Sequence, residues 1–333
     1  MKPTVAVLLG DPTGIGPELV AKLLAGPEPR QQANVLVVGD PRIFEMGQQV
    51  AQAHIPYRTV DSVARAAFDA PEVPLLDVPG VAPGEFTMGR LSAEAGRSVL
   101  DTIAVAMRLA REGLLDAVMF APLNKQAMRM GGSRFSDELH FMAHELKFDG
   151  LMRELNVLDS LWLSRVTSHV ALNQVSSLIT KRGVYEAVEL IHRTLTLSGV
   201  DRPRIAVAAF NPHGGEGGLF GREEIDEIGP GVEMARAAGM TAEGPFPADT
   251  IFLRARKGEY NAIVSMYHDQ GQIAMKLMGF ERGVTVQGGL PVPITTPAHG
   301  TAFDIAGQGI ANPGATRQAF RLACQMGARR KKG

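Results

Sequence analysis

The chain has 333 residues, enough for two lobes of about 100–200 residues each, and its 45% hydrophobic and 21% charged content is that of a globular protein. A formal net charge of −1 leaves no electrostatic footprint for nucleic acid. No apolar run approaches the roughly 20 residues of a membrane helix, so neither nucleic acid nor membrane is expected as a partner.

The first apolar run, Thr4 to Leu9, ends at Gly10-Asp11 without a cleavage-like site and reads as a strand, so a cytoplasmic protein without a signal peptide is expected. Gly10-Asp11-Pro12-Thr13-Gly14-Ile15-Gly16-Pro17-Glu18 turns that strand into a helix through Leu24. Leu19 stands where a dinucleotide fingerprint needs its third small residue, which favours a tight strand-to-helix turn with Pro17 at a first helical position. A strand at Asn34–Val38 and a helix near Pro41–Ala53 follow, then an irregular proline-rich piece from Pro71 to Gly84. Helical spacing from Leu91 to Arg111 precedes a buried strand at Ala117–Phe120 and the turn Ala121-Pro122-Leu123-Asn124-Lys125. His140 and His144, four apart, share a face if their segment is helical, but no third ligand lies near in sequence.

Strands are expected at Ser160–Val166, Arg204–Phe210 and Ala262–Met266, and helices at Arg182–Leu197 and Arg222–Ala238. This alternation predicts an α/β fold with mostly parallel sheets. The one cysteine, Cys324, excludes an intrachain disulfide; in a helical pattern with Ala319, Phe320, Leu322 and Ala323 it is expected to pack as a small apolar residue.

Three of these strands run into polar loops carrying His169, His213 and His268, each in a strand-end loop of small or polar residues. A lone strand-end histidine is more often a structural hydrogen-bonder. Three neutral imidazoles leave a coordination position open on a divalent ion, the arrangement of a catalytic metal site. Zn²⁺ is the default from ligand softness, with Mg²⁺, Co²⁺ or Mn²⁺ as alternatives. Further on, His299-Gly300-Thr301-Ala302-Phe303-Asp304-Ile305-Ala306-Gly307 and Gly309-Ile310-Ala311-Asn312-Pro313 pack small residues around a few polar groups. Such a loop lets backbone approach a flat ligand, with Asp304 and Asn312 placed to read ribose or adenine, so a nucleotide pocket is expected.

These motifs carry a resemblance. HGTAFDIAG…GIANP resembles the NAD-binding loop of the isocitrate and isopropylmalate dehydrogenases, and YHDQGQIAMK with NPHGGEGG resembles 4-hydroxythreonine-4-phosphate dehydrogenase of vitamin B6 synthesis, over nearly the whole chain. The resemblance implies a two-lobed isocitrate/isopropylmalate dehydrogenase-like fold with an interlobe cleft. Its first lobe takes residues 1–125 plus 290–333, and its second, residues 126–289, carries the metal ligands and a dimer interface. It implies His169, His213 and His268 as metal ligands at a site completed across a homodimer interface. His299, Gly300, Thr301, Asp304, Ile305 and Asn312 are implied at NAD or NADP. Lys276, eight residues after His268, is implied at the substrate carboxylate or as a proton relay, and Asp249 as an orienting group; their plainer readings are a surface cation and a helix N-cap.

Metal and nicotinamide together imply oxidation of a chelated hydroxyl and loss of CO₂ from the resulting β-keto acid. The sequence departs from the phosphate-using members at the substrate. Their histidine and threonine align with Glu138 and Leu139, beside His140, and their asparagine and arginine with Thr285 and Ile294. Losing the arginine fork and gaining a carboxylate disfavours a dianion. A non-phosphorylated carboxylated diol, as in the terephthalate dihydrodiol dehydrogenase branch, is therefore expected. A true 4-hydroxythreonine-4-phosphate dehydrogenase and a non-catalytic small-molecule-binding relative are the alternatives.

Overall fold

The structure, a computed structural model, describes residues 2–331. Its strands in chain order are β1 (Thr4–Leu8), β2 (Asn34–Gly39), β3 (Tyr57–Val60), β4 (Val73–Asp77), β5 (Ala117–Phe120), β6 (Arg153–Leu158), β7 (Leu161–Arg165), β8 (Arg204–Ala208), β9 (Thr241–Phe246), β10 (Ala262–Ser265), β11 (Val284–Gly288) and β12 (Ile294–Pro297). The chain divides into two compact units, one taking residues up to Gly150 with those from Leu290 onward, the other Leu151–Gly289. Residues 126–150 thus cluster with the first unit rather than the second. Met142 and Leu146 explain this, because both are buried in the same core as Ile103 and Met107.

In the first unit the strand order is β3-β4-β2-β1-β5-β12, every pair parallel. Apolar runs such as Val5-Ala6-Val7-Leu8 are buried on both faces, as a helix-covered parallel sheet requires. The helix Ala93–Arg111 begins where the Ser92 hydroxyl accepts a hydrogen bond from the Ala95 amide, and it buries Val99, Ile103, Met107 and Ala110 at helical spacing. Truncating Ile103 to alanine there costs about 2–5 kcal/mol. Strand β4 lies inside the proline-rich piece expected to be irregular. Pro74 nevertheless pairs in register with Arg58 of β3 while Val73, Leu75 and Leu76 are buried.

The second unit orders its strands β11-β6-β7-β10-β8-β9. The β7, β10, β8 and β9 neighbours are parallel, while β11–β6 and β6–β7 are antiparallel. Consequently β7, β10 and β8 end on the same side of the sheet, where an open α/β sheet carries its ligands. The expected helix from Arg222 resolves into a wide turn, Glu224–Ile228, followed by the helix Gly229–Ala237.

Candidate metal and dinucleotide site

His169 lies four residues beyond the end of β7 and His268 three beyond β10, and these strands pair with Ser265 opposite Arg165. The two chain ends stay together past the strands, because Val166 and Thr167 donate to the carbonyls of Ser265 and Met266. The imidazole rings of His169 and His268 end 5.7 Å apart. Two imidazoles sharing one ion through metal–nitrogen bonds of about 2.0–2.1 Å have ring centres about 5–6 Å apart, so the pair fits a divalent cation. His268 opens the helix His268–Gly279 instead of sitting in a loop. Its Nδ1 lies 2.7 Å from Asp269 Oδ1. An ionised carboxylate only accepts, so Nδ1 carries the proton and Nε2 keeps its lone pair for a ligand.

His213 follows β8, the other parallel neighbour of β10. Gln270 joins the ends of these strands, its Oε1 accepting from the Met266 amide and its Nε2 donating to the Ala209 carbonyl, both at 2.7 Å. Beyond β8 the residues His213, Gly214, Gly215, Glu216 and Gly217 all have left-handed φ, from 43° to 79°. For His213 and Glu216 that conformation costs roughly 1–2 kcal/mol each. Among the described residues no group of three or more histidine, cysteine, aspartate or glutamate side chains gathers to hold a metal. The structure pairs His169 with His268, then, and leaves His213 on the adjoining loop with its ring 6.5 Å from that of Phe220.

The other second-unit candidates are Lys276, Thr285 and Asp249. Lys276 is exposed on the His268 helix, one turn beyond Gln272, whose Nε2 donates to Asn156 Oδ1 at 2.5 Å. Asn156 also donates to the Thr285 hydroxyl at 3.4 Å and accepts from the buried Arg165 guanidinium at 2.8 Å. Burial, against the pull of Glu154, lowers the Arg165 pKa. Asp249 is exposed in the first turn of the helix Ala248–Arg256 and caps nothing. Sequence reasoning missed Asn156, Gln272 and Arg165; only their polarity inside apolar strand and helix patterns marked them.

In the first unit, Asp137 caps the helix Glu138–Glu145 by accepting from the His140 amide at 2.9 Å, and His140 Nδ1 donates to the same oxygen at 2.6 Å. Burial acts to raise the Asp137 pKa, but the hydrogen bonds from His140 and Ser136 outweigh it and leave it lowered. His144 packs on Phe135 with ring centres 5.0 Å apart, so His140 and His144 each have a local structural role. Glu138 Oε2 lies 3.4 Å from Lys125 Nζ. Leu139 is buried, and Ile294 is wholly buried in the core with Val118 and Phe120.

The 299–312 loop is tied down by the Gly10–Glu18 turn. The Ile15 amide donates to the Thr301 carbonyl at 3.1 Å, and a Cβ on Gly14 would meet the Thr301 side chain at 2.7 Å. Glu18 Oε1 accepts from the Ala311 amide at 2.8 Å and from Lys22, whose Nζ also donates to the Gly309 and Ala311 carbonyls. Ile15, Leu19 and Ala311 form a small core against which Ala302 and Ile305 pack. His299 Nδ1 donates to the Gly300 carbonyl at 3.1 Å. Gly300 and Asp304 are exposed, Thr301 is buried, and Asn312 Oδ1 accepts from the Gly314 amide at the start of the helix Gly314–Arg330.

With β7, β10 and β8 ending around histidines and a loop of small residues held by Glu18 and Lys22, these features are those of a dehydrogenase acting on a CH–OH group. The chain belongs to the family described as Pyridoxal phosphate biosynthetic protein PdxA, which matches residues 31–323. It is 54% identical over 98% of its length, and 97% of the relative's, to a Pseudomonas aeruginosa protein provisionally named 4-hydroxythreonine-4-phosphate dehydrogenase 2. It is 39% identical, over 98% of both chains, to the D-threonate 4-phosphate dehydrogenase of Cupriavidus necator.

Among solved structures, a 4-hydroxythreonine-4-phosphate dehydrogenase from Klebsiella pneumoniae is similar with a TM-score of 0.85 and 35% identity over 98% of both chains. A terephthalate 1,2-cis-dihydrodiol dehydrogenase from Burkholderia xenovorans is similar with a TM-score of 0.69 and 31% identity over 97% of this chain and 98% of that one. Membership in this dehydrogenase family implies a nicotinamide acceptor and a divalent metal. Among the described residues no helix is long and apolar enough to cross a membrane.

Proposed function

We propose that the chain oxidises a non-phosphorylated carboxylated diol, such as a terephthalate-type cis-dihydrodiol, with NAD or NADP as hydride acceptor and with loss of CO₂. The observation that carries the catalytic reading is the His169–His268 pair, 5.7 Å apart at the ends of adjacent parallel strands. His169, His268 and His213 would hold the metal, Zn²⁺ first and Mg²⁺, Co²⁺ or Mn²⁺ next. When bound, such an ion acidifies a chelated hydroxyl and polarises the carbonyl formed from it. Asp269 keeps the His268 proton on Nδ1 and so presents Nε2 to the site. Lys276 would hold the substrate carboxylate or relay a proton to the enolate oxygen left when CO₂ departs and the ring becomes aromatic, and Asp249 would orient the substrate. His299, Gly300, Thr301, Asp304, Ile305 and Asn312 would bind the dinucleotide.

A homodimer fits the surface near the histidines. Leu172, Leu219 and Phe220, close in sequence to His169 and His213, are 69%, 73% and 51% exposed, and Ile273 and Leu277 are exposed on the His268 helix. Apolar surface of this kind is covered at interfaces, and a second copy would bring further ligands to the pair.

The substrate class rests on charge. Glu138 offers a carboxylate at the position that aligns with a histidine of the phosphate-using members, and it pairs with Lys125. Arg282, which with Lys125 is a cation that a phosphate would need if the lost contacts were replaced, pairs with Asp159 at 3.1 Å. The D-threonate 4-phosphate reading is favoured by one observation, identity of 39% to that enzyme against 31% to the diol dehydrogenase. Comparing kcat/KM for a cis-dihydrodiol carboxylate, 4-hydroxythreonine 4-phosphate and D-threonate 4-phosphate, each with NAD and Zn²⁺ or Mg²⁺, decides between them. Charge-assisted hydrogen bonds are worth about 1.5–3 kcal/mol each, so loss of two predicts a preference of about two to four orders of magnitude for the diol. A phosphorylated substrate turning over faster would refute the substrate assignment.

A further inference from the structure

Behind the left-handed turn that carries His213 sits a carboxylate outside the proposed catalytic set. Glu224 is 5% exposed, and its oxygens are spent on the residues just before His213. Oε1 accepts from the Phe210 amide at 2.8 Å and the Asn211 amide at 2.7 Å, while Oε2 accepts from Asn211 Nδ2 at 2.9 Å. Asn211 Nδ2 also donates to Glu223 Oε2 at 2.7 Å, and Glu223 Oε1 accepts from the Ser176 hydroxyl at 2.5 Å.

The glycines of Asn211-Pro212-His213-Gly214-Gly215 and of Gly221 make room for these acids. A Cβ on Gly215 would stand 2.7 Å from Glu224 Oε2, and one on Gly221 would stand 2.4 Å from Asn211 Nδ2. The Gly215 and Gly221 conformations, at φ of 79° and 141°, suit glycine in any case.

We infer that Glu224 is a positioning residue for His213, fixing through Asn211 the left-handed loop from which that imidazole reaches a metal. The inference rests on the reading of His213 as a ligand. Outer partners that orient a metal-binding histidine are worth about 10–100-fold in metal affinity. What matters is where the oxygens stand, not their charge: Oε1 must lie within reach of two successive backbone amides.

Two variants separate geometry from charge. Glu224→Gln keeps the length and Oε1 but loses the charge and the Oε2 acceptor of Asn211 Nδ2, whereas Glu224→Asp keeps the charge and withdraws the whole carboxylate by one methylene. Co²⁺ affinity of the full-length protein, followed by the ion's visible absorption, is the readout, with thermal midpoints measured without metal and His213→Ala as reference. We expect His213→Ala to lose Co²⁺ binding, Glu224→Asp to weaken it by about tenfold or more, and Glu224→Gln, which keeps Oε1 on the two backbone amides and loses only the Asn211 side-chain bond, to weaken it less than Glu224→Asp. Parental affinity in Glu224→Asp, or a Gln variant weaker than the Asp variant, overturns the positioning role. Undiminished binding in His213→Ala would instead overturn the ligand reading beneath it.

Discussion

Around residues 301–311 of the first unit, the loop is tied by its own chain. Glu18, Lys22 and the Ile15 amide hold it at Thr301, Gly309 and Ala311 through hydrogen bonds near 3 Å, over a small apolar core. The histidine loops of the second unit are exposed, partly left-handed and bordered by uncovered leucines, and their side chains bring two imidazoles together rather than three. Under the proposed function the first loop lets backbone approach a flat ligand, and hydrogen bonds and packing from distant stretches of its own chain hold it ready. The proposed metal centre draws on three strand ends whose backbones Gln270 and Glu224 tie, yet among the described residues its three imidazoles do not gather. Under the proposed function, the ion and a second copy of the chain complete it.

Lys22 offers the sharpest way to break the first half of that comparison. Replacing it with methionine removes a cation that donates to the Gly309 and Ala311 carbonyls at 2.8 Å each and pairs with the buried Glu18. Loosening the loop should weaken dinucleotide binding about tenfold, on the scale of one charge-assisted hydrogen bond, with metal affinity unchanged. Calorimetric titration with NAD checks this, and equal affinity in the variant would mean that the loop is not held by this clamp.

A smaller effect is expected at Asp11, in the turn that supports the loop. Its carboxyl has no exposure; Thr13 donates to Oδ1 through both amide and hydroxyl, and Oδ2 has no hydrogen-bond partner among the described residues. Burial raises its pKa above the ordinary 3.8, the Thr13 bonds offsetting part of the rise. A carboxyl with a raised folded-state pKa keeps its proton more tightly when folded. Its contribution to stability is therefore full below the unfolded value and falls as pH rises through the folded one. Asp11→Asn, which retains an acceptor for Thr13, should flatten that decline and match or exceed the parent's thermal midpoint near neutral pH. Melting curves on either side of the carboxylate range test it, and a variant markedly less stable at neutral pH would refute the assignment.

Much of this architecture was legible in the sequence, for reasons visible in particular residues. Buried parallel strands such as Thr4–Leu8 and Ala262–Ser265 are mostly apolar runs, and the helix Ala93–Arg111 repeats its apolar face with a serine cap in front. Strand β4 escaped notice because its Pro74 lies in a proline-rich piece, although β3 accepts it in register, and β9 because Gly244-Pro245 interrupts it where its register against β8 shifts. At the site, the strand-end histidines announced themselves. Glu18, Lys22 and Glu224 did not, because each acts on backbone brought close only by folding, and an acid or lysine on a short helix looks like ordinary surface.

The proposed function stands or falls on His169, His213 and His268 holding a divalent ion at a site that a second copy of the chain completes. Native mass spectrometry of the Zn²⁺-loaded protein and of its His213→Ala variant is the decisive measurement, since one spectrum reports both mass and bound ions. The expected result is a dimer carrying one ion per chain, and loss of the ions in the variant. A monomer that retains its ion, or a variant dimer with its metal undiminished, would contradict it.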